Sequence, residues 1–292
     1  MAHERKVPIS ALNIAMHEPH SPQGYVRLML GLYGMRRIVN VRALTAVLIG
    51  SMYPLDKKHP DRGLTGEIYQ FTNLDQSEPW FDVNALEEAS EDEVKEIKIP
   101  EHLKPHLARF NYVFFPHGHR LYVQTRNKNR TLGIQTVLKF FRLLLADKSA
   151  PLTPHVEVTV EPDRDTITQI LKIRYLKRLE ITLVRPNPDD LSAAEKRLLR
   201  KLSRQDARQM DVNLYADSNN DLDPDQETIT LAKVAASNGA VVGHGRDAAN
   251  NPVIKSTIDQ PWKEVAHFDE DVQTEQSAII AKSKEMHGKV RG

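Results

Sequence analysis

From His155 to Gly245 the chain passes three times from a two-residue apolar period to a helical one, and this alternation limits the possible folds more than any other feature. His155-Val-Glu-Val-Thr-Val160 precedes a helical segment, Leu179-Glu-Ile-Thr-Leu-Val184 precedes a strongly basic one, and Met210-Asp-Val-Asn-Leu214 precedes a third. Strands that alternate with helices must bury one face of each element against the other, which is the signature of a layered scaffold. The three units repeat in form and not in sequence.

At 292 residues the chain exceeds the usual span of one hydrophobic core, so two domains are expected. The fold class is α/β (α+β). Residues 1–148 form an N-terminal, mainly antiparallel sheet with two packing helices, and residues 149–292 form a second domain of alternating strands and helices. Ser149-Ala-Pro-Leu-Thr-Pro154 reads as the linker, because its prolines disfavour helix. The absence of cysteine removes disulfides, zinc-thiolate sites, iron-sulfur clusters and thiol nucleophiles together. No apolar run approaches the ~20 residues that cross a bilayer, and Met1 to Met16 has no signal-peptide core, so a cytoplasmic, non-spanning protein is expected. The formal net charge is +1, so attraction to a polyanion has to come from local clustering.

In the first half a strand begins near Pro8, and Ser21-Pro22 opens a helix that carries Tyr25, Leu28, Met29, Leu32 and Met35 and ends near Arg36-Arg37. Strands at Val39–Val41, Thr45–Met52 and Glu67–Phe71 suggest an antiparallel meander. The acidic stretch 82–101 reads as a solvated insertion. Tyr112–Phe115 and Leu121–Val123 flank Pro116-His-Gly-His119 as a hairpin, and Thr131 to Ala146 is a helix with one apolar stripe.

In the second half Asp163 can cap a short helix, and Ser192 with Glu195 has capping-box spacing, with Pro188-Asp189 as an earlier start. Asp223-Pro224 with Gln226 opens a helix that should stop at Asn238-Gly239, with the glycine left-handed. A hairpin follows from Ala240 to Ser256, and Thr274 to Lys289 reads as a last helix or a frayed tail.

The basic helix carries the main candidate chemistry. With ~100° per residue, Leu191, Ala194, Leu198 and Leu202 share one side, while Lys196, Arg197, Arg200, Lys201 and Arg204 share the other. Such a stripe suits phosphate contacts, although an ordinary solvated face has the same pattern. Arg126, Lys128 and Arg130 form a second basic group just ahead of a helix start. A third comprises Lys172, Arg174, Lys177 and Arg178, with Tyr175 as a stacking partner. His117 and His119, with His17 or His20, give only a weak metal pattern, and no metal or cofactor is assigned. Gly243-His-Gly-Arg-Asp-Ala248 matches a relaxed dinucleotide fingerprint, but the turn-forming Ala249-Asn-Asn-Pro252 stands where that site needs a helix. Glu157, Glu161, Asp163, Asp165 and Glu180 offer carboxylates for a magnesium nuclease, although helix capping accounts for those in Glu161–Asp165. No serine elbow, Walker loop or zinc helix occurs, so no catalytic residue is assigned.

Gly66-Glu-Ile-Tyr69, Val158-Thr-Val-Glu-Pro162 and Leu179-Glu-Ile-Thr-Leu-Val-Arg-Pro-Asn-Pro-Asp-Asp-Leu191 resemble a bacterial family of unassigned function that is itself distantly similar to the RexA family of phage-lambda exclusion proteins. The resemblance implies a homodimer that binds duplex DNA with little sequence preference and acts in phage exclusion through a separate membrane effector protein. It carries over no catalytic residues. The leading expectation is therefore a non-enzymatic DNA-binding sensor or adaptor in anti-phage defence. The alternatives are a metal-dependent nuclease or toxin effector and a protein-interaction subunit of a defence complex.

Overall fold

The computed structural model describes residues 4–17, 20–75, 77–150, 156–185 and 193–291. The first strand, β1 (Glu4–Met16), alternates cleanly: Val7, Ile9 and Ala11 bury on one face, while Leu12, Ile14 and Met16 bury on the other. Helix α1 (Pro22–Gly34) opens as expected, with Ser21 Oγ accepting from the Gly24 amide at 3.0 Å and proline in the first turn. It ends slightly before Arg36-Arg37, because Met35 is its C-cap and Arg36 turns left-handed at φ 48°.

The meander follows as β2 (Val39–Asn40), β3 (Thr45–Pro54) and β4 (Leu64–Thr72), each antiparallel to the next. The acidic segment is an excursion that holds β5 (Phe81–Asp82), β6 (Glu87–Glu88) and α2 (Glu91–Glu96), a helix with no buried residue. The chain then returns in β7 (Ala108–Phe115), which pairs with β4 itself. After β8 (Arg120–Gln124) comes a small ribbon, β9 (Arg126–Asn127) and β10 (Arg130–Thr131). This ribbon delays the next helix, α3 (Ile134–Leu145), past the expected start at Thr131. Lys139 and Arg142, outside its apolar stripe, clip α3 down by donating to the Val41 and Val158 carbonyls at 2.6 and 2.8 Å.

The second half contributes β11 (Val156–Val160), α4 (Thr166–Leu171), β12 (Tyr175–Val184), α5 (Ala193–Arg204), β13 (Gln209–Tyr215), α6 (Gln226–Ser237), β14 (Gly239–Arg246), β15 (Pro252–Ser256), β16 (Lys263–Asp269) and α7 (Glu275–Arg291). The N-cap of α4 is Asp165, and Asp163 instead accepts from the Asp165 amide in the preceding turn. The N-cap of α6 is Asp225, whose carboxylate takes the Thr228 amide at 2.7 Å, so the helix opens after Asp223-Pro224. Gly239 is not left-handed. Its φ is 158° and it begins β14, and glycine stands there because a Cβ would lie 1.9 Å from the Thr182 carbonyl oxygen. Positions 188, 189 and 192, and 151–154 of the linker, fall outside the described residues.

The protein is mixed α+β, with a large antiparallel sheet ordered β11-β1-β8-β7-β4-β3-β2. On the edge of β1 opposite β8, two strands lie end to end. β16 pairs with Glu4–Ser10, and β11 pairs with Leu12–Met16. Residues on both sides of position 148 thus share this sheet. Helices α1 and α3 cover one face, and α7 covers the other through Ala278, Ile279 and Met286, so the segment from 275 is a docked helix. The smaller sheet, β13-β12-β14-β15, buries one face under α4, α5 and α6.

A buried polar cluster joins the two sheets. The Arg120 and Glu161 side chains, 11% and 10% exposed, form an ion pair at 2.6 Å. Arg120 also donates to Asn13 Oδ1 at 2.7 Å and to the Gly118 carbonyl at 2.8 Å. The Ser237 carbonyl at the C-terminus of α6 accepts from Asn13 Nδ2 at 3.1 Å and Thr159 Oγ1 at 2.9 Å, and Ser237 Oγ donates to Glu161 Oε1 at 3.0 Å. A helix-end carbonyl without an intrahelical partner is thereby satisfied by side chains of the other sheet.

Arg120→Met should cost about 3–5 kcal/mol, because it leaves the Glu161 carboxylate buried without its counter-ion. The double variant Arg120→Met/Glu161→Leu should regain most of that loss in equilibrium urea unfolding. Equal losses in both would show that the pair is not the source.

Candidate nucleic-acid interface

Helix α5 is amphipathic about a narrow apolar seam. Leu198 and Leu202 are 9% and 3% exposed and pack into the core of the smaller sheet, which fixes the rotation of the helix about its axis. That rotation turns Lys196, Arg197, Arg200, Lys201 and Arg204 outward, and all five are exposed. Among the described residues no carboxylate lies within ion-pair distance of any of them. Glu195, the acid of this helix, turns away from the ridge and accepts from Asn238 Nδ2 at 3.3 Å. Four of the cations, with Gln205, line a shallow groove of about 450 Å³. From Arg197 to Arg204 the helix rises about 10 Å, so the positive charge forms a short ridge.

Arg126, Lys128 and Arg130 occupy the separate β9–β10 ribbon and are also exposed. Lys128 sits at its turn with φ 49°, where its carbonyl accepts from Arg126 Nε at 3.3 Å. Asn127 Nδ2 anchors the ribbon on the Arg109 carbonyl at 2.7 Å.

Lys177 and Arg178 are already committed. Lys177 Nζ is 2.9 Å from Asp221 and 2.6 Å from the Asn220 carbonyl. Arg178 pairs with Glu180 at 2.8 Å, and its guanidinium lies 5.2 Å from the centre of the Tyr215 ring. Tyr175, expected as a stacking platform, holds Arg174 at 5.7 Å. These residues hold the rim of the smaller sheet together, so they do not add to the free charge of α5.

The carboxylates considered for a metal site are dispersed in the same way. Glu157 binds Arg208 at 2.7 Å, Glu161 binds Arg120, and Glu180 contacts both Arg178 and His244. Glu161 is therefore an ion-pair residue and not a helix cap. His117 faces Asp61 at 3.6 Å, whereas His119 is buried with its ring 4.8 Å from Tyr25 and 5.0 Å from His20. Among the described residues no three His, Asp or Glu side chains are grouped to hold a metal ion. The glycines of Gly243-His-Gly245 lie in β14, as a hairpin requires. A Cβ at Gly245 would lie 2.2 Å from the Tyr175 carbonyl, and one at Gly243 would press on Ile170, so close packing explains both.

A second concavity, which no sequence motif announces, opens at the start of α3 between Ser10, Arg42 and Lys263. Among the described residues no helix is long and apolar enough to cross a membrane.

The free ammonium groups of Lys196 and Lys201 should acetylate several-fold faster than Lys177, which is held by Asp221, when the folded protein is labelled briefly and read by peptide mass spectrometry. Equal rates would mean that the ridge is masked.

The profile of DUF4747, described as a domain of unknown function, matches residues 5–284. No curated protein matches the chain.

Proposed function

The chain belongs to the DUF4747 family, and we propose that it binds duplex DNA through the phosphate backbone and acts as a sensor or adaptor in anti-phage defence. The observation that carries the binding half is the ridge on α5, where five exposed cations lack carboxylate partners among the described residues. A neutralised ridge would gain little from a polyanion. One that faces water can release condensed counterions from the duplex, which is the main driving force of sequence-independent binding. Long, flexible Lys and Arg side chains without base-reading partners fit contacts that position a backbone and do not specify a sequence. Arg126, Lys128 and Arg130 are further phosphate contacts in this reading, and Lys177 and Arg178 are left to their structural partners.

The defence setting rests on the resemblance of Gly66–Tyr69, Val158–Pro162 and Leu179–Leu191 to the exclusion-protein pattern. In that setting the protein works as a homodimer, whose two ridges lengthen the contact, and passes occupancy of DNA to a separate membrane effector.

Binding of a labelled random-sequence duplex, followed by fluorescence anisotropy, should give a log–log salt slope of at least about 4.5 in magnitude, the share of the five α5 cations of one protomer. Raising salt from about 50 to about 200 mM should then weaken binding by about 500-fold or more. Arg197→Ala/Arg200→Ala should reduce the magnitude of the slope by about 2, and Arg197→Glu/Arg200→Glu should remove binding. No complex at low salt, or an unchanged slope in the variants, would overturn the reading. A duplex cut in the presence of magnesium or manganese would replace the adaptor role with a nuclease.

A further inference from the structure

The concavity at the N-terminus of α3 has a volume of about 520 Å³. It sits on the large sheet, shares no lining residue with the groove on α5, and draws its parts from separated stretches of chain. They are β1, the turn between β2 and β3, Gln70 of β4, Thr125 and Thr131 at the base of the β9–β10 ribbon, the start of α3, and the segment that enters β16.

Helix α3 enters this space without a capping oxygen. Its N-cap is Gly133, which has no side chain to offer, and no acidic residue stands in the first turn. The Thr136 and Val137 amides return to the Gly133 carbonyl at 2.9 and 3.1 Å. The Ile134 and Gln135 N–H groups stand at the positive end of the helix dipole, and both residues line the cavity. The position of a Cβ on Gly133 meets no atom within 4 Å, so the approach to these amides is open.

Ser10 supplies the second, independent observation. It is 1% exposed, it lines the cavity, and its hydroxyl has no hydrogen-bond partner. Alternation along β1 puts Ser10 on the same face as Leu12, which is the face that α3 covers. A buried hydroxyl without a partner costs free energy, and a ligand acceptor at this place would recover it. The cross-strand neighbour of Ser10 on β16 is Lys263, whose side chain therefore rises from the same face. Arg42 enters from the turn that the Arg42 and Thr45 backbones close on each other at 3.3 Å. Neither Arg42 nor Lys263 has an ion-pair partner among the described residues, and Asp259 is the one carboxylate of the lining.

We propose that this cavity is a binding site for a phosphate monoester, with the phosphate held by the first amides of α3, Ser10, Arg42 and Lys263. Open helix-start amides, a hydroxyl and two cations converge on a space that suits a compact dianion with several acceptor oxygens. The cavity is larger than a phosphate alone, so the ester carries a further group such as a nucleoside. Asp259 offers an acceptor to a sugar hydroxyl. The same chemistry is presented by a free nucleoside 5′-monophosphate and by the 5′-phosphorylated end of a nucleic-acid strand.

The test is calorimetric titration of the full chain with inorganic phosphate, a nucleoside 5′-monophosphate, the matching nucleoside, and a short single-stranded oligonucleotide with either a 5′-phosphate or a 5′-hydroxyl. With the strands titrated into the Arg197→Glu/Arg200→Glu variant, whose ridge no longer holds a backbone, the phosphorylated probes should bind and their unphosphorylated counterparts should not. Binding by both the mononucleotide and the phosphorylated strand points to a free nucleotide, and binding by the strand alone points to a strand end. Arg42→Ala and Lys263→Ala should each weaken binding by about tenfold or more, as expected for charge-assisted hydrogen bonds. Ser10→Ala should weaken it by about fivefold while leaving the melting temperature of the free protein unchanged or higher, since the hydroxyl holds nothing in the fold. Arg197→Glu/Arg200→Glu should leave the titrations with inorganic phosphate and the mononucleotide unaltered, which separates this site from the duplex ridge. Absence of binding by every phosphorylated probe, or equal binding by the wild type and the Arg42 and Lys263 variants, would overturn the proposal.

Discussion

The buried polar cluster in which Ser237 of α6 meets the Arg120–Glu161 ion pair is the contact on which the arrangement of the two sheets depends. Its partners come from β1, β8, the end of β11 and the last turn of α6, so one buried cluster decides how the smaller sheet docks on the larger. A charge at this depth is stable only beside its counter-ion and with further polar partners. Here Asn13 and Gly118 accept from Arg120 Nη1, and Ser237 Oγ donates to Glu161 Oε1. An apolar contact in the same place would allow the sheets to slide. A set of directional bonds admits few alternatives.

What could be read in advance follows the range of the interaction. Ser21-Pro22 marks a helix start because the cap and its amide are three residues apart, and α1 begins there. The strands of the meander declare themselves because each pairs with its neighbour in the chain. The shifted starts of α3 and α6 show the limit. A two-residue ribbon consumes Arg130 and Thr131, and the cap of α6 moves to Asp225, since several acids near a helix start look alike until the backbone selects one. The dinucleotide-like glycines are set by how closely Tyr175 and Ile170 approach β14, and neither residue is a near neighbour in sequence.

The candidate sites divide along the same line. The ridge on α5 was legible because helical geometry alone separates Leu198 and Leu202 from the five cations. The commitments of Lys177 and Arg178 were not, since Asp221 and Tyr215 reach them from other segments. The cavity at α3 was invisible for the same reason: Ser10 and Lys263 are opposed only by the register of β1 with β16.

That register also bears on how the molecule comes into being. Residues 4–10 find their outer neighbour only in 263–269, and the apolar Val7, Ile9 and Ala11 are roofed by a helix that starts at 275. During synthesis the residues through 269 must leave the ribosome before β1 has its outer neighbour. Until then that strand offers an open edge and a bare greasy face, the combination that recruits chaperones and invites misassembly. Closure over so long a loop is intrinsically slow, and it makes the birth of this sheet one of the last events in its biogenesis.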